Sequence, residues 1–152
     1  MPTYVKAVVR ATYWDTFDTF ETISFLDESL VESADLLEAA YFISGDRSPV
    51  VSGVTGNDCI QGSGSGPVEN EFIFVAPDGM FTLPCTALIR FAFSYEPYEV
   101  DLLTSSDGVT FTIRGTGTAN GVYSDPPAEI ALSGGDAPFV PWWTDHNNTQ
   151  EQ

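Results

Sequence analysis

Basic residues are scarce in this sequence. Its 152 residues include five Lys and Arg against 22 Asp and Glu, which gives a formal net charge of −17 at pH 7. Affinity for nucleic acid comes from clustered Lys and Arg, whereas the five basic side chains here are scattered along the chain. Nucleic acid is therefore not expected as a partner. The same repulsion disfavours binding to an anionic membrane.

Long apolar runs and abundant cysteines are absent too. No stretch is long enough to cross a bilayer as a helix, and the first residues lack the apolar run that marks a signal peptide. We therefore expect a virion or cytoplasmic location. Two cysteines, Cys59 and Cys85, are too few for a disulfide framework, and free thiols are expected.

The shortage of lysine leaves two interpretations of the host. A surface rich in Asp and Glu with a single lysine, Lys6, is typical of a protein from a high-salt cell. Salt there screens the self-repulsion that otherwise loosens the compact state. An ordinary acidic protein from a cell without high salt is the alternative.

Residues for common catalytic and metal sites are in short supply. His146 is the only histidine, and it lies in the C-terminal segment, where a catalytic base would lack support from rigid elements. Zinc needs three or four Cys or His ligands, and the three such residues of this chain are widely separated. The glycine-rich run at 61–67 lacks the P-loop lysine and the G-x-S-x-G pattern. We expect no enzyme, no cofactor and no bound metal.

Two alternative functions stay open from the sequence. A small acid/base hydrolase would use two carboxylates, but with 22 acids some pair is always present, so the pattern identifies none. A carbohydrate- or calcium-dependent binding or adhesion module would use flat aromatic rings or loop carboxylates. Its candidates are the aromatic group Phe93, Tyr95 and Tyr98, and the acidic groups Asp15, Asp18, Glu21 and Glu69, Glu71, Asp78.

The residues that are abundant predict β-structure. Apolar and polar residues alternate over 3–13, and residues 86–95 are apolar on both parities apart from Arg90, which predicts a central strand. Asp78-Gly79 and Asp107-Gly108 each separate two apolar runs and predict hairpins, because glycine supplies the positive φ of tight turns. The fold class is mainly β, an antiparallel sandwich or barrel of about seven strands.

One segment has the pattern of an α-helix. Ser29 and Glu32 have the spacing of a capping box, and apolar residues recur at helical spacing from Leu30 to Tyr41. Gly45 follows where a C-terminal glycine is expected. The sequence therefore predicts one helix over about residues 30–43, packed on the sheets.

The C-terminal segment differs from the rest of the chain. We expect a single β-rich domain at 1–135, with a flexible Gly/Ser loop at about 46–67, followed by an extended arm at 136–152. Two prolines stiffen this arm and remove backbone donors. The partner-binding residues are expected to be its three large apolar side chains, Phe139, Trp142 and Trp143.

These observations together predict a non-catalytic structural or interaction subunit of a larger assembly. A virion component, such as a capsid decoration, connector or tail protein, meets the requirements. Its partners would be other protein subunits in a homo- or hetero-oligomer, contacted through the C-terminal arm.

Overall fold

The described part of the chain is mainly β. The computed structural model describes residues 2–14, 19–53, 56–62, 67–92, 97–119 and 126–134, and within these ranges it contains ten strands and no helix. The sequence predicted about seven strands. The observed strands are β1 (Thr3–Ala11), β2 (Thr19–Leu26), β3 (Phe42–Gly45), β4 (Val50–Val51), β5 (Asp58–Gln61), β6 (Val68–Ala76), β7 (Cys85–Ala92), β8 (Tyr98–Ser105), β9 (Thr112–Ala119) and β10 (Ala128–Leu132).

The strands form two antiparallel sheets of five strands each. Sheet 1 has the order β3-β6-β1-β8-β9, and sheet 2 has the order β10-β7-β2-β5-β4. The pairs β1–β8, β2–β7, β3–β6 and β4–β5 are nested in the sequence and alternate between the two sheets. Such nested pairs arise when a long antiparallel hairpin folds over on itself, so that successive strand pairs lie in alternate sheets. The result is a β-sandwich.

The core lies between the inner faces of the two sheets. On β1, Val5, Ala7 and Val9 are buried, whereas the residues between them are partly exposed, so the predicted alternation is confirmed. Sheet 2 contributes inward side chains such as Ile23 and Ile89. These inner faces carry most of the burial that stabilises the fold.

Trp14, directly after β1, is the centre of an aromatic cluster. Its ring lies 5.7 to 6.2 Å from those of Phe72, Phe91 and Tyr98, in edge-on geometry. Phe91 stacks between Phe20 at 4.7 Å and Tyr98 at 4.3 Å. The cluster joins both sheets, because Phe72 and Tyr98 belong to sheet 1 and Phe20 and Phe91 to sheet 2.

The predictions for β7 and the β8–β9 turn are confirmed. β7 lies between β10 and β2 as an interior strand. Asp107 and Gly108 lie in the loop that joins the neighbouring strands β8 and β9, with Gly108 at φ 78°. Gly79 has φ 85°, but the strands beside it, β6 and β7, belong to different sheets, so the predicted hairpin at Asp78-Gly79 is wrong. A glycine fixes the turn locally, and sheet packing decides which strands pair.

The predicted helix at 30–43 is wrong. Asp27 accepts hydrogen bonds from the backbone N–H groups of Ser29 and Val31, and Leu30 has a left-handed φ of 62°. Such local bonds from an Asp side chain to the backbone compete with helix formation. Leu30, the first residue of the expected apolar face, is 76% exposed, so the helical spacing does not describe what is buried.

The segment instead runs along β2 in an extended form. Ser33 N–H donates to Phe25 O at 2.8 Å and Leu36 N–H donates to Ile23 O at 2.7 Å. Two adjacent leucines, Leu36 and Leu37, are fully buried in the core. This segment therefore serves as a cover at the side of β2.

Asp35 anchors this cover and gives it a pH dependence. Its carboxylate accepts backbone N–H bonds from Ile23 at 3.0 Å and from Leu37 at 2.9 Å. Burial nevertheless raises the pKa of the Asp35 carboxyl from its ordinary value of 3.8 to about 6, because the loss of hydration outweighs these bonds.

We expect the Asp35→Asn variant to lose part of the pH dependence of stability. Because the folded pKa of Asp35 exceeds the unfolded one, its protonation stabilises the fold fully below about pH 3.8, and this gain is lost as the pH rises through about 6. The asparagine oxygen still accepts both bonds but does not titrate. For a partly exposed carboxyl the difference in unfolding free energy between variant and parent should change by about 1–2 kcal/mol across that window. Urea unfolding from about pH 4 to pH 7 measures it, and parallel pH profiles would contradict the assignment.

Residues 46–67, expected as a loop, contain the strands β4 and β5. These two pair as a short hairpin at the edge of sheet 2, while residues 54–55 and 63–66 lie outside the described residues. Cys59 and Cys85 are free and buried, and burial raises the pKa of both thiols, that of Cys85 to about 11. The expectation of free thiols is confirmed.

Candidate interaction surface

The outer face of sheet 1 carries several apolar side chains. The solvent-facing side of an antiparallel sheet normally carries polar ones. On β1, β6 and β8 these positions point away from the core, because buried residues lie beside them along each strand. Ile113 pairs with the outward Leu103, and the Phe111 ring lies against the outward Lys6. All of them are partly exposed. We call this set the outer band, and it comprises Tyr4 and Val8 of β1, Ile73 and Val75 of β6, Leu103 of β8, and Phe111 and Ile113 at β9.

The strand register places these residues side by side. Lys6 lies opposite Ile73 on one neighbouring strand and opposite Leu103 on the other, and Leu103 in turn lies opposite Ile113. The Lys6 ammonium is 4.6 Å from the centroid of the Phe111 ring and 3.5 Å from a carboxylate oxygen of Glu71. The lysine stem thus lies in the middle of the band, with its ammonium between the Phe111 ring and the Glu71 carboxylate.

One end of the outer band is charged. The Arg10 guanidinium donates to Asp101 at 2.8 Å and lies 3.6 Å from both Glu69 and Glu99. The hydrogen bond to Asp101 is the largest influence on Arg10 and raises its pKa above the ordinary value, so it stays charged. A cavity of about 860 Å³ opens here, lined by Arg10, Val68, Glu69 and Glu99 among others. Three carboxylates around one guanidinium would repel an anionic ligand, so this end of the band is not an anion site.

A second apolar feature lies at the edges of both sheets. Ile43 on β3 is 47% exposed, and Val50 and Val51 on β4 are 43% and 69% exposed. Both are edge strands, and they are only four and two residues long. Short edge strands give little room for another chain to pair along them. The outer band, which extends over four neighbouring strands, is therefore the larger surface.

The partner-binding residues expected from the sequence, Phe139, Trp142 and Trp143, lie outside the described residues, as does His146. Of the aromatic group considered for carbohydrate stacking, Tyr98 is fully buried and stacks on Phe91, so it cannot present its ring to a sugar. Its two companions in that group, Phe93 and Tyr95, are also outside the described residues.

Of the carboxylates considered for calcium, the described group of Glu69, Glu71 and Asp78 is not gathered into one site. Glu69 lies beside Arg10, Glu71 lies beside Lys6, and Asp78 is in the turn after β6. Asp15 and Asp18, which were grouped with Glu21, lie outside the described ranges. Across the described ranges no three Cys, His, Asp or Glu side chains are placed to share a metal ion. Nor does this part of the chain contain a helix with the length and apolarity to span a membrane.

The sequence contains an indication of the outer band in two short apolar runs. Residues 72–75, within β6, are apolar on both parities, and so are residues 102–103 of β8. A strand with one solvated face alternates, so an unbroken apolar run means that its second face is also suited to contact. The register was still needed to place these runs beside Tyr4 and Lys6 of β1.

The fold and surface define the class of this protein as an antiparallel β-sandwich with a partly apolar outer sheet face. No protein-family model matches the chain, and the comparisons with curated proteins and with solved structures found no match either.

Proposed function

We propose that this protein is a non-catalytic structural subunit of a larger assembly, which binds neighbouring copies through the outer band and its C-terminal arm. The observation that carries the proposal is the row formed by Ile73, Leu103 and Ile113 with the Lys6 stem on the outer face of sheet 1. Contiguous apolar patches on a protein surface mark interaction sites. Here the patch lies on paired strands, so a partner meets a surface that needs little ordering on binding.

The charges around the band favour a protein partner. Apolar residues surround Lys6 within the band, and the ion pairs of Arg10 with Asp101, Glu69 and Glu99 lie at one end of it. An apolar centre with a polar rim is the usual composition of a protein–protein interface. Burying partly exposed Leu, Ile and Val contributes roughly 25 cal/mol for each Å² removed from water.

The narrower proposal is a virion component, such as a capsid decoration, connector or tail protein, from a host that is halophilic if the acidic surface is an adaptation to salt. The nested pairs β1–β8, β2–β7, β3–β6 and β4–β5 support it, because jelly rolls, whose strand pairs are also nested, form viral capsid domains as well as lectins. Here the pairs are joined through β1–β6 and β2–β5. This fold therefore resembles a jelly roll only in the nesting of its strand pairs. The support for a virion component is a comparison of folds.

The proposal predicts self-association that depends on the outer band. The full chain should form oligomers as its concentration rises, and replacing Ile73 and Leu103 together by Thr should weaken association by roughly tenfold or more. Threonine suits a strand, so the fold should be kept. Sedimentation velocity over a wide concentration range measures the effect, with circular dichroism to check folding.

A matched control uses two exposed valines outside the band. Val51→Thr with Val109→Thr makes the same kind of change at residues that are 69% and 81% exposed, and it should leave association unchanged. A full chain that stays monomeric at every concentration would refute self-assembly. Weakening by the control and not by the band variant would place the interface elsewhere.

A further inference from the structure

The end of the described chain shows where the C-terminal arm begins. Strand β10 runs antiparallel along β9, since Ile130 lies beside Gly117, Ala131 O beside Gly115, and the Ser133 N–H donates to Arg114 O at 2.9 Å. Gly134 lies against Leu83 and Pro84, in the loop that joins the two sheets between β6 and β7. The described chain therefore stops at the end of the sandwich and not on the outer face of either sheet.

We propose that the arm of one copy docks on the outer band of a second copy, with Phe139, Trp142 and Trp143 as its anchors. This inference rests on the proposed function and names the occupant of the band. Aromatic side chains on an extended segment carry a large share of interface energy when they enter an apolar surface. Each copy supplies one arm and one band, so two copies can exchange arms in a closed pair.

The dimensions of arm and band agree. From Phe139 to Trp143 an extended chain spans about 13 Å, at roughly 3.1–3.4 Å per residue. From Ile73 on β6 to Ile113 on β9 the band crosses three strand spacings, about 14 Å at roughly 4.8 Å each. One anchor can therefore reach each side of the band without a bend in the arm.

The prolines of the arm favour a sheet face over a sheet edge. Pro138 and Pro141 have no backbone N–H, so residues 138–141 cannot pair along an edge strand with a full ladder of hydrogen bonds. Docking must then rely on side chains against a face. The short exposed edges at β3 and β4 are the weaker alternative for this reason.

The position of Gly134 favours a second copy over the chain's own sheet. To reach the outer face of its own sheet 1 from Gly134, the chain would have to turn around the edge strand β9. A neighbour placed beyond the end of the sandwich requires no such turn. The arm of one copy then contacts the outer band of the other.

A disulfide test separates the two arrangements. Thr116 is exposed on the outer face of sheet 1, opposite Asp101, and Val140 lies among the anchors of the arm. In the full chain carrying Thr116→Cys and Val140→Cys, mild oxidation with diamide should give a covalent dimer. Peptide mapping should find positions 116 and 140 of different chains linked. The native thiols Cys59 and Cys85 are buried, so the parent chain should give no dimer under these conditions.

The control pairs Val140→Cys with a position on the other sheet. Thr22 is partly exposed on the outer face of sheet 2, opposite Arg90, and Thr22→Cys with Val140→Cys should not give the 22–140 link. A link from 116 to 140 within one chain would overturn the proposal, because the arm would then cover its own sheet. Equal linking in the control, or no link at position 116, would overturn it as well.

A second measurement does not depend on introduced cysteines. Trp142→Ala with Trp143→Ala should weaken self-association of the full chain by roughly 30-fold or more, while Asn147→Ala with Asn148→Ala should leave it unchanged. If the chain assembles but neither the link nor this loss is found, the arm is not the occupant, and the proposed assembly through the outer band still stands. If the chain never assembles, the proposed function itself fails.

Discussion

Trp14→Ala should lower the free energy of unfolding by about 3–5 kcal/mol. The side chain is fully buried, and its ring meets Phe72, Phe91 and Tyr98 from the two sheets. Replacing it by alanine removes these contacts and leaves a cavity in the middle of the sandwich. The surrounding rings belong to paired strands and cannot collapse into that space.

Urea unfolding followed by circular dichroism measures this loss. An unchanged m-value checks that variant and parent expose the same amount of surface on unfolding. Tyr13→Ala is the matched control, because Tyr13 is the adjacent aromatic residue and is 39% exposed. It should cost less than about 1 kcal/mol. Similar losses for the two variants would mean that Trp14 is not the centre of the core.

Gly115→Ala should destabilise the fold by about 1–3 kcal/mol or more, because it would separate the two edge strands that close one side of the sandwich. A Cβ atom at Gly115 would lie within 2.3 Å of Ala131 O, a backbone atom that cannot move without shifting β10. At Gly117 the nearest atom, at 2.7 Å, belongs to the side chain of Ile130, which can rotate. Gly117→Ala should therefore cost less.

Gly53→Ala completes the series, since no atom of the described residues lies within 4 Å of the Cβ that would be added there. Its effect should stay within about ±0.5 kcal/mol. Thermal unfolding of the three variants should rank Gly115 as the most sensitive, then Gly117, then Gly53. A different order would show that β9 and β10 are not in close contact at this side.

The predictions that hold are those that depend on residues close in sequence. The alternation on β1, the two-parity apolar run of β7 and the Asp107-Gly108 turn each result from side chains within a few residues of one another. Strand periodicity is a property of the local chain. The sequence also showed the apolar arm residues, Phe139, Trp142 and Trp143, and their role as anchors stays a prediction.

The helix prediction failed because two local signals competed. Helical spacing of apolar residues from Leu30 onward favoured a helix, while Asp27 and Asp35 offered the backbone other hydrogen bonds. The outcome depended on a distant partner, since the extended form also bonds to β2 and buries Leu36 and Leu37. Tertiary packing overrides a weak local preference in such cases.

By itself the sequence determined an acidic, mainly β chain with prolines and large aromatic residues near its C-terminus, because charge, alternation and proline content are local properties. Only the tertiary structure decided that Asp78-Gly79 links two sheets, since the pairing of β6 with β1 and of β7 with β2 joins residues far apart in the chain. The outer band arose in the same way. Its residues come from four strands, and only the register of sheet 1 places Ile73, Leu103 and Ile113 in one row around Lys6.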